Sequence, residues 1–186
     1  MTGSAIVLYG PPASGKSAIT SELSALHPDF VLFRRIKIGG GCRDGYRDAA
    51  ESEVDALHRE GLVLYENTRY GNTYLVDQPE LGRMIDTGLV PIVHVGQLAG
   101  VRAIQQYSAA WLAVLLWCSR ATTAKRVRAR ASGDLDARVA AWDETARDIK
   151  NRRAGDFALH IDTTRSSAAT AAITIHAALS GPIGGR

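Results

Sequence analysis

Residues 5–17 read Ala-Ile-Val-Leu-Tyr-Gly-Pro-Pro-Ala-Ser-Gly-Lys-Ser, an apolar run that leads directly into a glycine-rich loop. The run from Ala5 to Tyr9 predicts a buried β-strand, because consecutive apolar residues are typical of a strand that is covered on both faces. Lys16 to Leu26 then has the length and the apolar spacing of an α-helix. A buried strand, a glycine-rich turn and a helix in this order predict an α/β fold.

The glycine-rich loop has a defined residue pattern. Gly10 and the later Gly15-Lys16-Ser17 fit G-x-x-x-x-G-K-[ST], the phosphate-binding loop, and they lie between a strand and a helix as this motif requires. Backbone N–H groups and the positive end of the helix dipole surround phosphates in such a loop. We expect Lys16 to reach the β- and γ-phosphates of ATP and the Ser17 hydroxyl to ligate Mg²⁺. The residues predicted to bind the nucleotide are Gly10, Pro12, Ala13, Ser14, Gly15, Lys16 and Ser17.

The rest of the chain alternates between short apolar runs and longer stretches of helical period. This alternation predicts a three-layer sandwich in which helices join the strands of a mainly parallel sheet. The length of 186 residues and the 46% share of hydrophobic residues fit one domain. Further strands are predicted over residues 30–36, 62–66, 73–76, 90–95, 112–118 and 157–161, and further helices over 50–60, 79–87, 97–106, 122–131, 135–153 and 166–179.

Composition and charge argue against several functional classes. The chain has 22 Lys and Arg against 19 Asp and Glu, and its cations are scattered without an aromatic-basic stripe, so no nucleic-acid partner is expected. The longest apolar run, residues 109–118, is half of the roughly 20 residues that a spanning helix needs, and no export signal is recognised, so no membrane partner is expected. Cys42 and Cys118 have no metal-ligand spacing and fit a reducing, cytoplasmic compartment. Both a monomer and a homodimer stay open.

Four residues of the middle stretch stand at a defined spacing. Lys37 follows Arg34 by three residues, Tyr46 follows Lys37 by nine, and Tyr74 ends a Gly-Asn-Thr-Tyr sequence. Two cations and two phenolic hydroxyls can together hold a dianionic phosphate and orient its oxygen for reaction. With this spacing and the glycine loop, residues 5–178 resemble the guanylate kinase family of nucleoside monophosphate kinases, which includes the related bacterial ribose bisphosphate phosphokinases.

The resemblance implies an activity and a set of acceptor-binding residues. A member of this family moves the γ-phosphoryl group of ATP onto the phosphate of an acceptor, with Mg²⁺ as a cofactor. The acceptor phosphate would be held by Arg34, Lys37, Tyr46 and Tyr74. Arg35 competes with Arg34 for the first of these positions.

The resemblance also implies a lid and a division of the single domain, residues 1–186. Arg126-Val127-Arg128-Ala129-Arg130 resembles the family's R-L-x-x-R-G pattern, and Arg138 follows on the next helix. Arg126, Arg130 and Arg138 would neutralise the transferring group under a closed lid, although a solvated helix face is the alternative. Asp162 would border the adenine. The core would take residues 1–33, 77–131 and 139–180, the acceptor lobe about 34–76 and the lid about 126–138.

The chain departs from the family where guanine is read. The family's Glu, Ser and Asp fall on Tyr65, Val76 and Gly96, which cannot make the same hydrogen bonds, so GMP is not the expected acceptor. Tyr65 suggests a more apolar or stacking pocket, and Glu66 could restore one carboxylate if the register shifts by one residue. A further family aspartate falls on His94, which either bonds to backbone at a strand end or contacts the acceptor or a metal-bound water.

The expected function is therefore that of an ATP- and Mg²⁺-dependent kinase. Its acceptor would be the phosphate or phosphonate of a small molecule other than GMP, such as a modified nucleoside monophosphate or a sugar phosphate. One alternative is a kinase for an alcohol acceptor, which would need a general base such as His94 or Asp44. The other is a catalytically silent binding module, which the intact glycine loop argues against.

Overall fold

The computed structural model describes residues 3–69, 71–129 and 135–180. The first half of the chain contains β1 (Ser4–Tyr9), α1 (Lys16–Leu26), β2 (Phe30–Leu32), β3 (Arg35–Ile38), β4 (Tyr46–Arg47), α2 (Glu51–Arg59), β5 (Val63–Arg69) and β6 (Asn72–Asp77). The second half contains α3 (Gln78–Asp86), β7 (Val90–Val95), α4 (Leu98–Ile104), β8 (Ala110–Trp117), α5 (Arg120–Ala129), α6 (Leu135–Asp148), β9 (Leu159–Asp162) and α7 (Ala168–Ser180). No helix within the described ranges is long and apolar enough to cross a membrane.

The larger sheet has five strands in the order β2-β7-β1-β8-β9, and every neighbouring pair is parallel. Its central strand is β1, in which Ala5 to Tyr9 are completely buried. Helices cover both faces of this strand, which explains why its sequence is an unbroken apolar run. The α/β class with a mainly parallel sheet, predicted from the sequence, is confirmed.

Successive residues of β1 face opposite helical layers. Val7 packs in one apolar cluster with Leu81 of α3 and with residues of α4. Leu8 packs in a second cluster with Ile19 of α1 and Ile175 of α7. The two clusters hold three layers together, and each fully buried aliphatic side chain in them contributes about 1.5–3 kcal/mol. Because the helices after β1 and β7 lie on opposite faces, the carboxyl ends of these neighbouring strands leave a crevice.

A second sheet lies within residues 35–77 and has the order β4-β3-β6-β5. Its β3-β6 and β5-β6 pairs are antiparallel. Ile36 of β3 and Leu75 of β6 are completely buried, and they pack against Val54 and Leu57 of α2. This small separate core holds the second sheet as a unit beside the glycine loop. The assignment of this sheet as an acceptor lobe, with the boundaries given above, stays a prediction.

Besides β5, which is longer than predicted, two predicted elements differ clearly from the structure. The single strand predicted over residues 30–36 is wrong: the segment forms β2 in the parallel sheet and β3 in the second sheet, because the chain leaves the partner β7 after Phe33 N donates to Ile92 O (2.9 Å). The helix predicted over residues 135–153 ends at Asp148 and continues as one 3₁₀ turn. After this turn the backbone of Arg152 is extended and the Arg153 amide donates to Asp156 Oδ2 (2.7 Å), so the chain does not continue as a helix to residue 153.

Candidate active site

A cleft opens at the carboxyl edge of the parallel sheet, between the glycine loop and the second sheet, and it encloses about 240 Å³. It coincides with the crevice between β1 and β7, where α/β proteins bind their ligands. The cleft is lined by Gly10, Pro12, Ala13, Ser14, Gly15, Lys16, Ser17, Arg35, Tyr46, Asn67, Arg69, Tyr74, His94, Val95, Gly96, Gln97 and Arg138. All seven loop residues predicted to bind the nucleotide are among them.

The glycine loop has the backbone of an anion cradle. A Cβ at Gly10 would lie 2.2 Å from the carbonyl oxygen of Leu116, so only glycine fits at this position. Ala13 and Gly15 have left-handed φ angles of 57° and 97°. Left-handed residues beside right-handed ones turn successive N–H groups to the same side, which makes a concave anion site. The unsatisfied N–H groups in the first turn of α1 add to it, so the loop fits phosphate groups.

Lys16 bends back over the loop. Its ammonium donates to the carbonyl oxygens of Gly10 (2.6 Å) and Pro11 (3.0 Å). Burial, together with the nearby guanidinium of Arg35, lowers the pKa of Lys16 to about 7. A bound phosphate would offer charged acceptor oxygens to this ammonium in place of neutral carbonyls, and such charge-assisted hydrogen bonds are the stronger ones.

On the opposite wall, Arg35 lies between two tyrosines. Its guanidinium carbon is 4.9 Å from the ring centroid of Tyr74 and 5.8 Å from that of Tyr46, and the two rings are 5.2 Å apart. Its Nη1 also donates to Asn67 Oδ1 (3.4 Å). These contacts fix the guanidinium plane at the cleft. Arg34, the alternative for this position, is exposed and does not line the cleft.

Two further predicted acceptor residues do not line the cleft. The Lys37 ammonium donates to the carbonyl oxygens of Gly40 (2.6 Å) and Cys42 (2.8 Å), so it holds the loop that follows β3. The Tyr65 hydroxyl donates to the Gln97 side chain, and its ring packs so closely on Gly100 that a Cβ there would lie 2.6 Å from it. Burial raises the pKa of Tyr65 to about 12. Both side chains therefore support the walls of the cleft.

The predicted lid arginines are divided between two cavities. Arg138 of α6 lines the cleft, whereas the Arg126 guanidinium donates to the carbonyl oxygens of Ala13 (2.9 Å) and Thr163 (2.5 Å). Arg126 and Thr163 line a second, apolar cavity of about 340 Å³ beside the glycine loop. Asp162 is exposed and accepts a hydrogen bond from the Thr164 amide, outside this cavity. Arg130 lies outside the described residues.

Sequence reasoning missed three polar residues of the cleft: Asn67, Arg69 and Gln97. The first two lie on β5, which was predicted to end at Glu66 but continues to Arg69. Residues two apart on a strand share a face, so Asn67 and Arg69 point to the same side. Residues 66–69 are all polar, so no alternation of apolar and polar residues marks this part of the strand in the sequence.

The charges on the cleft lining have one sign. Lys16, Arg35, Arg69 and Arg138 line it, and no carboxylate is among the described lining residues. Arg69 pairs with Glu144, whose side chain is 56% exposed. Clefts lined by one sign of charge attract and concentrate ligands of the opposite sign. The cleft is therefore suited to a ligand, or a pair of ligands, with several negative charges.

His94, for which the sequence left two roles open, lies at the carboxyl end of β7 beside α1. Its Nε2 is 2.7 Å from the Thr20 hydroxyl oxygen, so the side chain bonds to a helix side chain and lines the cleft at the same time. Burial, and then the positive charges of Lys16 and Arg35, lower its pKa to about 3. His94 is thus a neutral imidazole at physiological pH.

The depressed pKa of His94 predicts a pH-dependent stability. An unfolded histidine takes up a proton as the pH falls below 6.5, whereas folded His94 stays neutral down to about pH 3. The unfolded state therefore gains about 2 kcal/mol from this group between pH 7.5 and pH 5, and the folded protein loses that stability. Urea unfolding at the two pH values measures the loss.

His94→Gln provides the control for this experiment. It keeps a polar atom for Thr20 and removes the titration, so the other ionisable groups cancel when the two proteins are compared. We expect the stability of wild type relative to His94→Gln to fall by about 2 kcal/mol over this pH range. An unchanged difference would mean that the pKa of folded His94 is near 6.5.

The described residues fit Mg²⁺ as a companion of a bound nucleotide. No group of three or more His, Cys, Asp or Glu side chains able to hold a metal ion occurs in the described part of the chain. The Ser17 hydroxyl is exposed in the first turn of α1 and lines the cleft. Magnesium keeps several waters and readily binds phosphate oxygens, so it fits here as a companion of a nucleotide, with Ser17 as a protein ligand.

The five-stranded parallel sheet, with a G-x-x-x-x-G-K-S loop between its central strand and a helix, defines the fold of a P-loop kinase. A comparison with solved structures agrees. The chain is similar to guanylate kinase from Anaplasma phagocytophilum, with a TM-score of 0.65 and 14% identity over 97% of this chain and 88% of that one. It is also similar to a gluconokinase from Sinorhizobium meliloti 1021, with a TM-score of 0.55 and 15% identity over 96% and 93%.

At these identities the similarity establishes the fold. The resemblance to guanylate kinase that was read from the sequence is confirmed at that level. No protein-family model matches the chain, and a search of curated proteins finds no match.

Proposed function

We propose that the protein is an ATP- and Mg²⁺-dependent kinase that transfers the γ-phosphoryl group to the phosphate or phosphonate of a small molecule. A modified nucleoside monophosphate or a sugar phosphate fits this description, and GMP does not. One observation carries the proposal: an intact glycine loop faces the Arg35, Tyr46 and Tyr74 cluster across a cleft with four cations and no carboxylate among its described lining residues.

On the donor side, the loop N–H groups and Lys16 bind the phosphates of ATP. Ser17 holds the Mg²⁺, which supplies charge neutralisation at the phosphates when it is bound. The apolar cavity beside the loop takes the adenine, with the Arg126 guanidinium as one wall. Because Arg126 also binds the carbonyl oxygens of Ala13 and Thr163, it holds the loop and the base site in register.

On the acceptor side, Arg35, Tyr46 and Tyr74 hold the acceptor phosphate. They point one of its oxygens at the γ-phosphorus, and a bond forms there as the bond to the ADP leaving oxygen breaks. Lys16 and Arg138 stabilise the charge that spreads over the transferring group. The acceptor leaves with one more phosphoryl group, and ADP remains on the loop.

An alcohol acceptor, as the name of the gluconokinase suggests for that protein, is less well supported. It needs a general base near the hydroxyl. Asp44 is exposed and does not line the cleft, and the pKa of His94, at about 3, makes it a poor base. A phosphate acceptor is already ionised at neutral pH and needs no base. A silent binding module is not favoured either, because a partner bound on the acceptor side would not need the intact phosphate-binding loop.

An ADP-release assay with matched acceptors tests this proposal. Glucose 6-phosphate against glucose, 6-phosphogluconate against gluconate, and ribose 5-phosphate against ribose differ only in the phosphate, and AMP and GMP complete the set. We expect Mg²⁺-dependent turnover with at least one phosphorylated member and none with the unphosphorylated partners. Turnover confined to unphosphorylated members would establish the alcohol kinase, and efficient turnover of GMP would contradict the proposed exclusion of guanine.

A further inference from the structure

A shallow cavity of about 400 Å³ lies outside the candidate active site, on the segment between α6 and β9. Its lining includes Lys150, Arg152, Arg153, Phe157 and His160. None of these residues lines the cleft or the apolar cavity beside the glycine loop. The described lining residues include three cations and no carboxylate, so the cavity is suited to a negatively charged ligand.

The three cations are not neutralised by neighbouring side chains. In the described part of the chain, the side chains of Lys150 and Arg153 form no hydrogen bond and no ion pair. The Arg152 guanidinium donates to the carbonyl oxygen of Ile149, in the preceding turn (3.3 Å). All three cations are exposed and lie within four consecutive residues. Like charges this close repel one another, and a bound anion would relieve that repulsion.

The carboxylates nearest to this segment in the sequence are engaged elsewhere. Asp148 Oδ2 accepts hydrogen bonds from the Leu98 amide (2.7 Å) and from the Tyr9 hydroxyl (3.2 Å). Asp156 accepts a charge-assisted hydrogen bond from the Arg102 guanidinium (2.8 Å). Neither carboxylate lines the cavity. The positive charge there is therefore available to a ligand.

Hydrogen bonds from α4 hold the turn that presents the cations. The Arg102 guanidinium donates to the carbonyl oxygen of Asn151 (3.0 Å) as well as to Asp156. Asp156 in turn accepts a hydrogen bond from the Arg153 amide (2.7 Å), and its side chain is only 10% exposed. The turn is thus fixed by bonds that form largely away from solvent. A site that is ordered before its ligand arrives loses less conformational entropy on binding.

The spacing of the cations favours a compact ligand with several negative charges. The Cα atoms of residues 150 and 153 are at most about 11 Å apart, because each residue adds no more than about 3.6 Å. Guanidinium groups such as those of Arg152 and Arg153 match the geometry of phosphate oxygens. Linked phosphates place several charges within this short distance. His160, whose ring meets the Phe157 ring edge-on (6.0 Å), lies at the same cavity.

We propose that this cavity is a second ligand site, in which Lys150, Arg152 and Arg153 bind a chain of two or more linked phosphates. The chain belongs either to a free oligophosphate or to a nucleotide, which are two sources of the same chemistry. Since the cavity shares no lining residue with the cleft, this inference does not rest on the proposed kinase activity. The site binds its ligand whether or not the glycine loop is occupied.

NMR spectroscopy of the histidine side chains tests this inference, because His160 reports on the cavity directly. Tripolyphosphate, added without Mg²⁺, should shift the imidazole C–H resonances of His160 in a saturable way. His27 lines none of the three cavities and should not respond. Inorganic phosphate should bind about tenfold more weakly, since it reaches fewer cations. Comparison with ATP identifies the source: equal affinity indicates that the phosphate chain suffices, and tighter binding of ATP indicates a nucleotide.

Two triple substitutions test whether the cations of the cavity hold the ligand. The first removes them: Lys150→Gln, Arg152→Gln and Arg153→Gln. It should weaken the binding that is measured at His160 by about tenfold, as expected for the loss of three exposed charge contacts. The control removes the same charge at exposed positions outside the cavity: Arg59→Gln, Lys125→Gln and Arg128→Gln. It should stay within about twofold of wild type.

The glycine loop also binds phosphates, so its contribution is tested separately. In Lys16→Ala, the response of His160 to tripolyphosphate should be retained. A response that disappears in Lys16→Ala would assign the binding to the glycine loop and overturn the second site. An equal loss in both triple variants would overturn it as well, because net charge alone would then explain the binding. So would the absence of a saturable shift of His160 with either tripolyphosphate or ATP.

Discussion

Lys16→Ala lowers the rate of phosphoryl transfer by about a thousandfold, the loss expected when a cation aimed at the transferring phosphates is removed. Lys16 lies in the anion cradle, and its ammonium donates to the neutral carbonyl oxygens of Gly10 and Pro11 and weakly to the Ser14 hydroxyl. The phosphates would attract this charge more strongly as negative charge shifts toward the leaving oxygen. The measurement is the initial rate of ADP release at saturating ATP and acceptor.

The fold should tolerate this substitution, which makes the result specific. Burial and the nearby Arg35 disfavour the charge on Lys16, as its pKa of about 7 indicates, so the variant should be at least as stable as wild type at pH 7. Lys125→Ala removes the same charge from an exposed position on α5 and should retain full activity. A Lys16→Ala protein that keeps more than about a tenth of the wild-type rate would contradict the assigned donor site.

The elements nearest the glycine loop could be predicted closely from the sequence, because their signals are local. The run of apolar residues predicts β1, and the glycine-rich loop that ends at Gly15 predicts the start of α1. Both predictions use neighbouring residues alone. The break between β2 and β3 could not be predicted from neighbouring residues. It depends on the point where Phe33 leaves its partner Ile92, a contact between residues far apart in the sequence.

The candidate site could be predicted only in part, again because some of its contacts depend on the fold and not on neighbouring residues. The spacing of residues in the sequence selected Tyr46 and Tyr74, which line the cleft. The same spacing also selected Arg34 and Lys37, which do not line it. Strand alternation decides between the two arginines: Ile36 faces the small core of the second sheet, so Arg35 faces the other side. The ammonium of Lys37 is taken by the carbonyl oxygens of the following loop, a contact that no spacing rule contains.

Asn67 and Arg69 could not be predicted for the same reason. A strand segment that is polar on both faces, as residues 66–69 are, resembles a loop when the chain is read alone. Tyr65 shows the converse. Its aromatic side chain suggested a stacking surface for an acceptor. In the structure, α4 comes so close at Gly100 that the ring packs against this helix instead.

Neighbouring arginines give the sharpest test of the acceptor site. Arg35→Ala should lower kcat/KM for the phosphorylated acceptor by about a hundredfold, because it removes charge-assisted hydrogen bonds to the acceptor phosphate, and the KM for ATP should change by less than about threefold. Arg34→Ala removes the same charge one residue away, at an exposed position off the cleft, and should stay within about twofold of wild type. Steady-state kinetics with each substrate varied in turn measures both.

A comparison of Arg34→Ala with Arg35→Ala separates the effect of the position of the charge from the effect of the net charge. The two variants have the same net charge, so any effect of the overall field on a negatively charged acceptor is equal in both. A difference between them therefore reports the guanidinium that lies between Tyr46 and Tyr74. Arg35→Lys keeps the charge without the planar fork and should recover only part of the lost efficiency. If Arg34→Ala were as damaging as Arg35→Ala, the acceptor phosphate would have to bind outside this cluster, and the alternation that places Arg35 at the cleft would not describe the acceptor site.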